Sequence, residues 1–322
     1  MTTRTPRAFA ARPAVREQVP ALIGLFGPSG GGKTFSALRL ATGVQSVTGG
    51  EILVVDTEAK RALHYADQFK FQHVEFKAPF GSLDYLDVLT WSVTERGAKI
   101  VVVDSFSHEH EGPGGYLSLH ESEVERLASE WKTTTDKANM AGWIKPSANR
   151  RTLINGMLQL AGVTFIFCFR AKEKTKPKTG GGIQELGFMP IAGDEFLFEM
   201  TVSALLPPNA GGVPTWSPEQ PGEKLMVKLP RQFKELFATR EPLGETHGRA
   251  IAEWARGDSK ESQLASRAAL LETALKRAKD RAAVNSTWTR AAELRQELAV
   301  ATPQLLLALE RLRESRETEL KA

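Results

Sequence analysis

The chain has one cysteine, Cys168, in 322 residues, so it cannot form an internal disulfide, and a reducing compartment is the expected setting. No stretch approaches the roughly 18 consecutive apolar residues of a membrane-spanning helix, and no membrane partner is expected. Residues 1–16 carry Arg4, Arg7, Arg12 and Arg16 but lack the apolar centre of an export signal. Residues 1–19 therefore read as a disordered basic tail, and the protein is expected in the cytoplasm. Neither sign of charge dominates: 42 Lys and Arg stand against 38 Asp and Glu, a net +4 that tolerates a polyanionic partner without requiring one. With 41% hydrophobic and 25% charged residues, the composition is that of a globular chain, and the length allows two domains.

Residues 21–26 (ALIGLF), 51–56 (EILVVD), 99–104 (KIVVVD) and 163–169 (VTFIFCF) are short, nearly continuous apolar runs, the pattern of strands buried on both faces. Residues 73–77 make a weaker fifth strand. Helical spacing lies between them, at 34–41, at 82–96 through Leu83, Leu86, Leu89 and Val93, at 118–137 and at 147–160. This alternation predicts an α/β fold with a mainly parallel central sheet covered on both faces. The segment 172–184, KEKTKPKTGGGIQ, has no core-forming residue before Ile183 and reads as a mobile loop. Residues 196–206 and 224–229 read as further strands around a Pro/Gly-rich excursion, and 244–256 as a closing helix. After a polar linker at 257–260 glycine disappears. Leu264, Ala268, Leu271 and Leu275 mark one helix, Trp288, Ala292 and Leu298 a second, and Thr302-Pro303 starts a third. Residues 258–322 are thus a small helical appendage.

Gly27-Pro28-Ser29-Gly30-Gly31-Gly32-Lys33-Thr34 fits G-x-x-x-x-G-K-[ST] at every fixed position, between a predicted strand and a predicted helix. Glycines let backbone N–H groups converge on phosphate oxygens, and the helix N-terminus adds its positive end. Lys33 would neutralise the β- and γ-phosphates and Thr34 would hold Mg²⁺. The sequence has neither a guanine-specificity motif of the N/T-K-x-D type nor an LSGGQ-like signature, so ATP is the expected nucleotide. Such a site needs a carboxylate near the metal. Asp104, ending the longest β-branched run and followed by Ser105, is the first candidate; Asp56 and Glu58 end the other acidic strand. Glu58 is the candidate general base, with a solvated loop glutamate as the alternative and Glu109 as a competitor.

ILVVDTEAKRAL, followed some 45 residues later by IVVVDSFS, resembles the RecA-like ATPases. In that family the catalytic glutamate follows the strand next to the phosphate-loop unit, and the metal-site strand ends in Asp-Ser; the match carries over Glu58, Asp104 and Ser105. The stretches DSFSHEHEGPGG, FIFCFRAKEK, LGFMPIAGDEFLFEM and GRAIAEWARG are more narrowly similar to phage and prophage RecA-like AAA-type ATPases. The resemblance spans about residues 20–257. It implies an ATP-hydrolysing, Mg²⁺-dependent domain, assembly into a homo-oligomer, action on single-stranded DNA in recombination or replication, and, for a phage protein, the bacterial host's cytoplasm. The chain departs from RecA where that protein has a γ-phosphate-sensing glutamine: here Cys168-Phe169-Arg170-Ala171-Lys172 stands, so Arg170 or Lys172 becomes the candidate sensor or cationic finger.

The loop that follows carries Lys174, Lys176 and Lys178, suited to a phosphate backbone, although it has no aromatic residue for base stacking; a solvated loop or a lid over ATP is the alternative. His108, His110 and His120 suggest a metal site less well than a polar loop lining the nucleotide site or a subunit interface. Cys168 reads as a core residue, and Trp143, Trp254 and Trp288 as core or interface anchors. A second overall reading is a nucleotide-switched module with little turnover, whose C-terminal helices recruit a protein partner.

Overall fold

The computed structural model describes residues 20–177, 182–237, 241–257 and 260–320. The basic tail expected at 1–19 and Lys178 lie outside them. The chain divides into two compact units, Gln18–Ala255 and a second that contains Arg256–Ala322.

In the larger unit, the apolar runs become β1 (Ala21–Gly27), β2 (Ile52–Asp56), β4 (Ile100–Asp104) and the first half of β5 (Thr164–Pro177), joined by β3 (Gln72–Glu75), β6 (Ile183–Pro190) and β7 (Val202–Leu205). The sheet order is β3-β2-β4-β5-β1-β7, and every pairing along that path is parallel. The helices are α1 (Lys33–Thr48), α2 (Ser82–Thr94), the single turn α3 (His108–Glu111), α4 (Tyr116–Glu130), α5 (Thr135–Gly142), α6 (Ile144–Gln159), α7 (Asp194–Glu199), the short α8 (Pro221–Lys224) and α9 (Lys234–Phe237), and α10 (Glu245–Ala255). Alternate strand residues point to opposite faces. Ile23, Leu25, Val54, Val102, Ile166 and Cys168 pack with α1 and α10, whereas Phe26, Val55, Val103, Phe165 and Phe167 pack with α2 and α6. Burial on both faces is why these strands are continuously apolar. Among the described residues, no helix is long and apolar enough to cross a membrane.

In this larger unit four expectations need correction. Of the segment read as a mobile loop, the described residues belong to a two-stranded arm: β5 runs on to Pro177 and pairs antiparallel with β6, from Ala171↔Pro190 to Pro177↔Ile183. Ladder bonds use backbone groups, so a strand can form without the core-forming side chains whose absence suggested a loop. The strand expected at 196–206 is α7 followed by β7, since Asp194 and Glu195 favour a helix start through the dipole. The strand expected at 224–229 reduces to the end of α8 and one isolated bridge, Ser203↔Lys228. The single helix expected at 118–137 is two, α4 and α5, with Lys132 between them at φ 51°.

The smaller unit packs α11 (Lys260–Arg277), α12 (Arg281–Arg290), α13 (Ala292–Ala301) and α14 (Pro303–Glu319) around Leu264, Leu275, Val284, Trp288, Leu298 and Leu309. What reads as one helix through Trp288 and Leu298 is broken at Ala291. On a straight helix those two residues would point about 80° apart; the break turns both into one core.

Candidate functional site

The cleft lies outside the carboxyl ends of β1, β5 and β4, where ligands of open α/β sheets gather. It measures about 730 Å³ and is lined by Ser29, Gly30, Gly32, Lys33, Thr34, Glu58, Arg61, Tyr65, Asp104, Glu111, Arg170, Ala171 and Ile191. That volume is within the usual small-molecule range.

β1 ends at Gly27, and the chain must turn tightly into α1 against the strand β7 and its outgoing loop. A Cβ on Gly27 would sit 2.2 Å from the Leu206 carbonyl oxygen, and one on Gly31 2.6 Å from the same atom, so glycine is required for this approach. Among the described residues, no backbone N–H from Ser29 to Phe35 donates to a protein acceptor. These amides lie at and just before the start of α1, where a helix leaves its first donors free and its dipole is positive. Lys33 Nζ donates to the carbonyls of Gly27 (2.9 Å) and Pro28 (2.7 Å), folding its charge over the loop. Burial lowers the pKa of this amine, with neighbouring Asp104 and Glu58 acting in the opposite sense.

Asp104 continues the stripe Ile100–Val102 on the α1 side of β4, which brings its carboxylate to α1: Thr34 Oγ1 donates to Asp104 Oδ2 at 2.5 Å. Burial pushes the Asp104 carboxyl up to about 6, with the Thr34 hydroxyl pulling the other way. A hydroxyl and a carboxylate side by side are a donor set that could hold Mg²⁺ if phosphate oxygens completed its shell. The free amides, Lys33 and this pair fit a magnesium-bound polyphosphate.

Arg170 extends a second stripe, Ile166–Cys168, in the same way. Its Nε and Nη2 donate to Glu58 Oε1 at 2.9 and 2.7 Å, while Arg61 Nη1 lies 2.5 Å from Glu58 Oε2. The turn that presents Glu58 is held by Asp56, which accepts from the backbone N–H groups of Glu58 (2.7 Å) and Ala62 (3.0 Å) and bonds His73. Asp56 is thus committed to the backbone and does not face the cleft.

The structure brings Lys33, Thr34, Glu58, Asp104 and Arg170 together, with Ser29, Gly30 and Gly32 beside them. Other expected residues stand elsewhere. Ser105 is wholly buried where the chain leaves β4: its Oγ donates to the Cys168 carbonyl (3.4 Å) and accepts from the Ser107 N–H (3.3 Å), while its backbone N–H donates to Thr57 Oγ1 (2.8 Å) and its carbonyl accepts from Tyr85 (3.0 Å). It is therefore not a cleft residue. Lys172 lies outside the cleft, exposed and 3.4 Å from Glu111. Lys174 and Lys176 are exposed on the arm, in the same stripe of β5 as Arg170 and Lys172.

The competing base, Glu109, is excluded by its surroundings: 1% exposed, it pairs with Arg150 and accepts from Ser82 Oγ at 2.6 Å. His108 bonds Thr57 and His110 bonds Arg150, and burial lowers the pKa of both, His110 to about 4. Among the described residues, no three His, Cys, Asp or Glu gather as metal ligands. Cys168 is buried, as is Trp288; Trp143 stacks on His120, and Trp254 lies half-buried against Phe233. Sequence reasoning missed Arg61 and Tyr65. Both follow Glu58 at short spacing on a 3₁₀ turn, Arg61–Tyr65, and that turn is the signal that would have found them.

The chain matches no protein-family model and no curated protein.

Proposed function

We propose that this chain is a RecA-like, Mg²⁺-dependent ATPase that works on single-stranded DNA. The observation that carries the reading is the run of amides from Ser29 to Phe35, which donate to no acceptor among the described residues, together with Lys33 and the Thr34–Asp104 pair. The amides and Lys33 bind the β- and γ-phosphates, and Thr34 and Asp104 hold Mg²⁺, which neutralises charge on the phosphate oxygens. Glu58 takes the proton of the attacking water, and Arg170 offsets charge at the terminal phosphate. Tyr65, at the rim, offers an aromatic face to a base. The exposed lysines of the β5–β6 arm, about 7 Å apart along the stripe, support contact with a phosphate backbone. Completion of the site between copies of the chain rests on the family resemblance alone, and a protein partner for the C-terminal helices belongs to the alternative reading of a nucleotide switch.

One observation favours a slower variant of this reading. Glu58 is held by two arginines, which suits a nucleotide switch with little turnover. Steady-state ATP hydrolysis with Mg²⁺, with and without single-stranded DNA, separates them. The expected result is turnover that rises with DNA and vanishes in Lys33→Ala. Lys33-dependent binding without turnover under either condition would select the switch, and turnover indifferent to DNA would remove the DNA role.

A further inference from the structure

The carboxylate assigned as the base cannot act as one in the arrangement described. Glu58 Oε1 accepts two hydrogen bonds from Arg170, and Oε2 faces Arg61 Nη1. With its side chain 8% exposed, both oxygens are turned to guanidinium groups and screened from solvent. A general base must present a lone pair within hydrogen-bond reach of the proton it removes. Arg170, by contrast, is 39% exposed and borders the cleft beside Lys33 and Thr34, so its guanidinium has room to change partner.

We infer that Arg170 is a positioning residue with two alternative partners, Glu58 and the terminal phosphate of a bound nucleoside triphosphate, and that the exchange between them frees Glu58 to meet water. This rests on the nucleotide reading of the cleft. A guanidinium fork binds phosphate oxygens at least as well as a carboxylate, and the terminal phosphate carries more charge. A nucleoside diphosphate ends one phosphate short and leaves the clasp closed. Arg61, three residues along the same turn from Glu58, keeps hold of Oε2 and fixes the carboxylate while Arg170 leaves. Triphosphate binding must therefore break an ion pair that diphosphate binding leaves intact.

Calorimetric titration of the full chain tests this, using Mg²⁺ with ADP or with an ATP analogue whose β–γ linkage resists hydrolysis. The proteins are the wild type, Glu58→Gln, Arg170→Gln and the double variant, with Glu58→Ala as a second removal of the carboxylate should the amide hold Arg170. Removing the Glu58 charge should tighten the triphosphate about tenfold and leave ADP within about twofold, and in the Arg170→Gln background it should change the affinity for neither nucleotide by more than about twofold. Equal effects on the two nucleotides, no effect on either, or the same effect without Arg170 would overturn the exchange. Hydrolysis measured on the same samples keeps the two readings apart. Lost turnover without tighter triphosphate binding removes the clasp and leaves Glu58 as base; tighter binding with intact turnover removes the base and leaves the clasp. A wild type that binds neither nucleotide removes both.

Discussion

Arg150 is the most consequential charged residue away from the cleft. It reaches from α6 to α3, with its side chain 3% exposed and that of Glu109 1% exposed. Nε and Nη2 donate to the two Glu109 oxygens at 3.1 and 2.8 Å, and the guanidinium carbon lies 3.4 Å from the centre of the Tyr116 ring. Arg150→Ala leaves a buried carboxylate with Ser82 as its remaining hydrogen-bond donor, and removing one partner of such a pair costs about 3–5 kcal/mol. In a unit of this size each kcal/mol moves Tm by about 2–4 °C, so a fall of about 6–20 °C is expected. Glu109→Gln alone should also destabilise, because it strands the cation. The double change Arg150→Ala, Glu109→Gln should cost clearly less than the sum, since no unpaired charge is then left in the interior. Urea and thermal unfolding followed by circular dichroism measure all three. Single-variant costs below about 1 kcal/mol, or strict additivity in the double variant, would refute the claim that this pair is a closed, desolvated unit.

Asp104 has its folded pKa raised to about 6, above its value in the unfolded chain. Its contribution is therefore favourable to the fold at low pH and is lost as pH rises through about 6, by up to about 3 kcal/mol. Thermal denaturation without nucleotide should show Asp104→Asn gaining on the wild type from pH 5 to pH 7.5; parallel curves would contradict the burial argument. Magnesium-dependent nucleotide binding should strengthen over the same interval in the wild type, because the metal needs the ionised carboxylate. Replacing Lys174, Lys176 and Lys178 with alanine should weaken single-stranded DNA binding and lower its log–log salt slope by about 2. An unchanged slope in a salt titration would remove these residues from the DNA reading. Gly27→Ala should destabilise the larger unit by about 1–3 kcal/mol and weaken nucleotide binding, as its Cβ would press on the Leu206 carbonyl; a neutral result by calorimetry would mean that this wall yields.

The core strands were legible because burial on both faces leaves an unbroken apolar run, as in Ile100–Asp104 and the first half of β5. The phosphate-loop motif was legible because its glycines and Lys33 are adjacent in sequence. The arm was not, because backbone pairing leaves no side-chain signature in KEKTKPKTGGG. Nor was the partner of Glu58, since Arg170 lies 112 residues away and is brought in by the parallel pairing of β5 with β4 and β1. Ser105 misled for a local reason: a polar residue next to a site carboxylate looks like a ligand, yet here the chain leaves the strand at that residue and its hydroxyl is taken up by the backbone of Cys168 and Ser107.

β5 serves three environments in one unbroken strand. Cys168 closes the core, Arg170 faces the cleft and Lys172, Lys174 and Lys176 stand on the arm, all on a single period-two stripe. Inserting or deleting one residue between Cys168 and Lys172 would turn every later side chain to the other face, putting the lysines where Glu173 and Thr175 now stand. Length change in this strand is therefore confined to pairs of residues. The opposite strand escapes the restriction: Leu186 is already an extra residue between the pairs Lys174↔Gly187 and Thr175↔Glu185. Across divergent versions of this chain, drift in length should accumulate in β6 and spare β5.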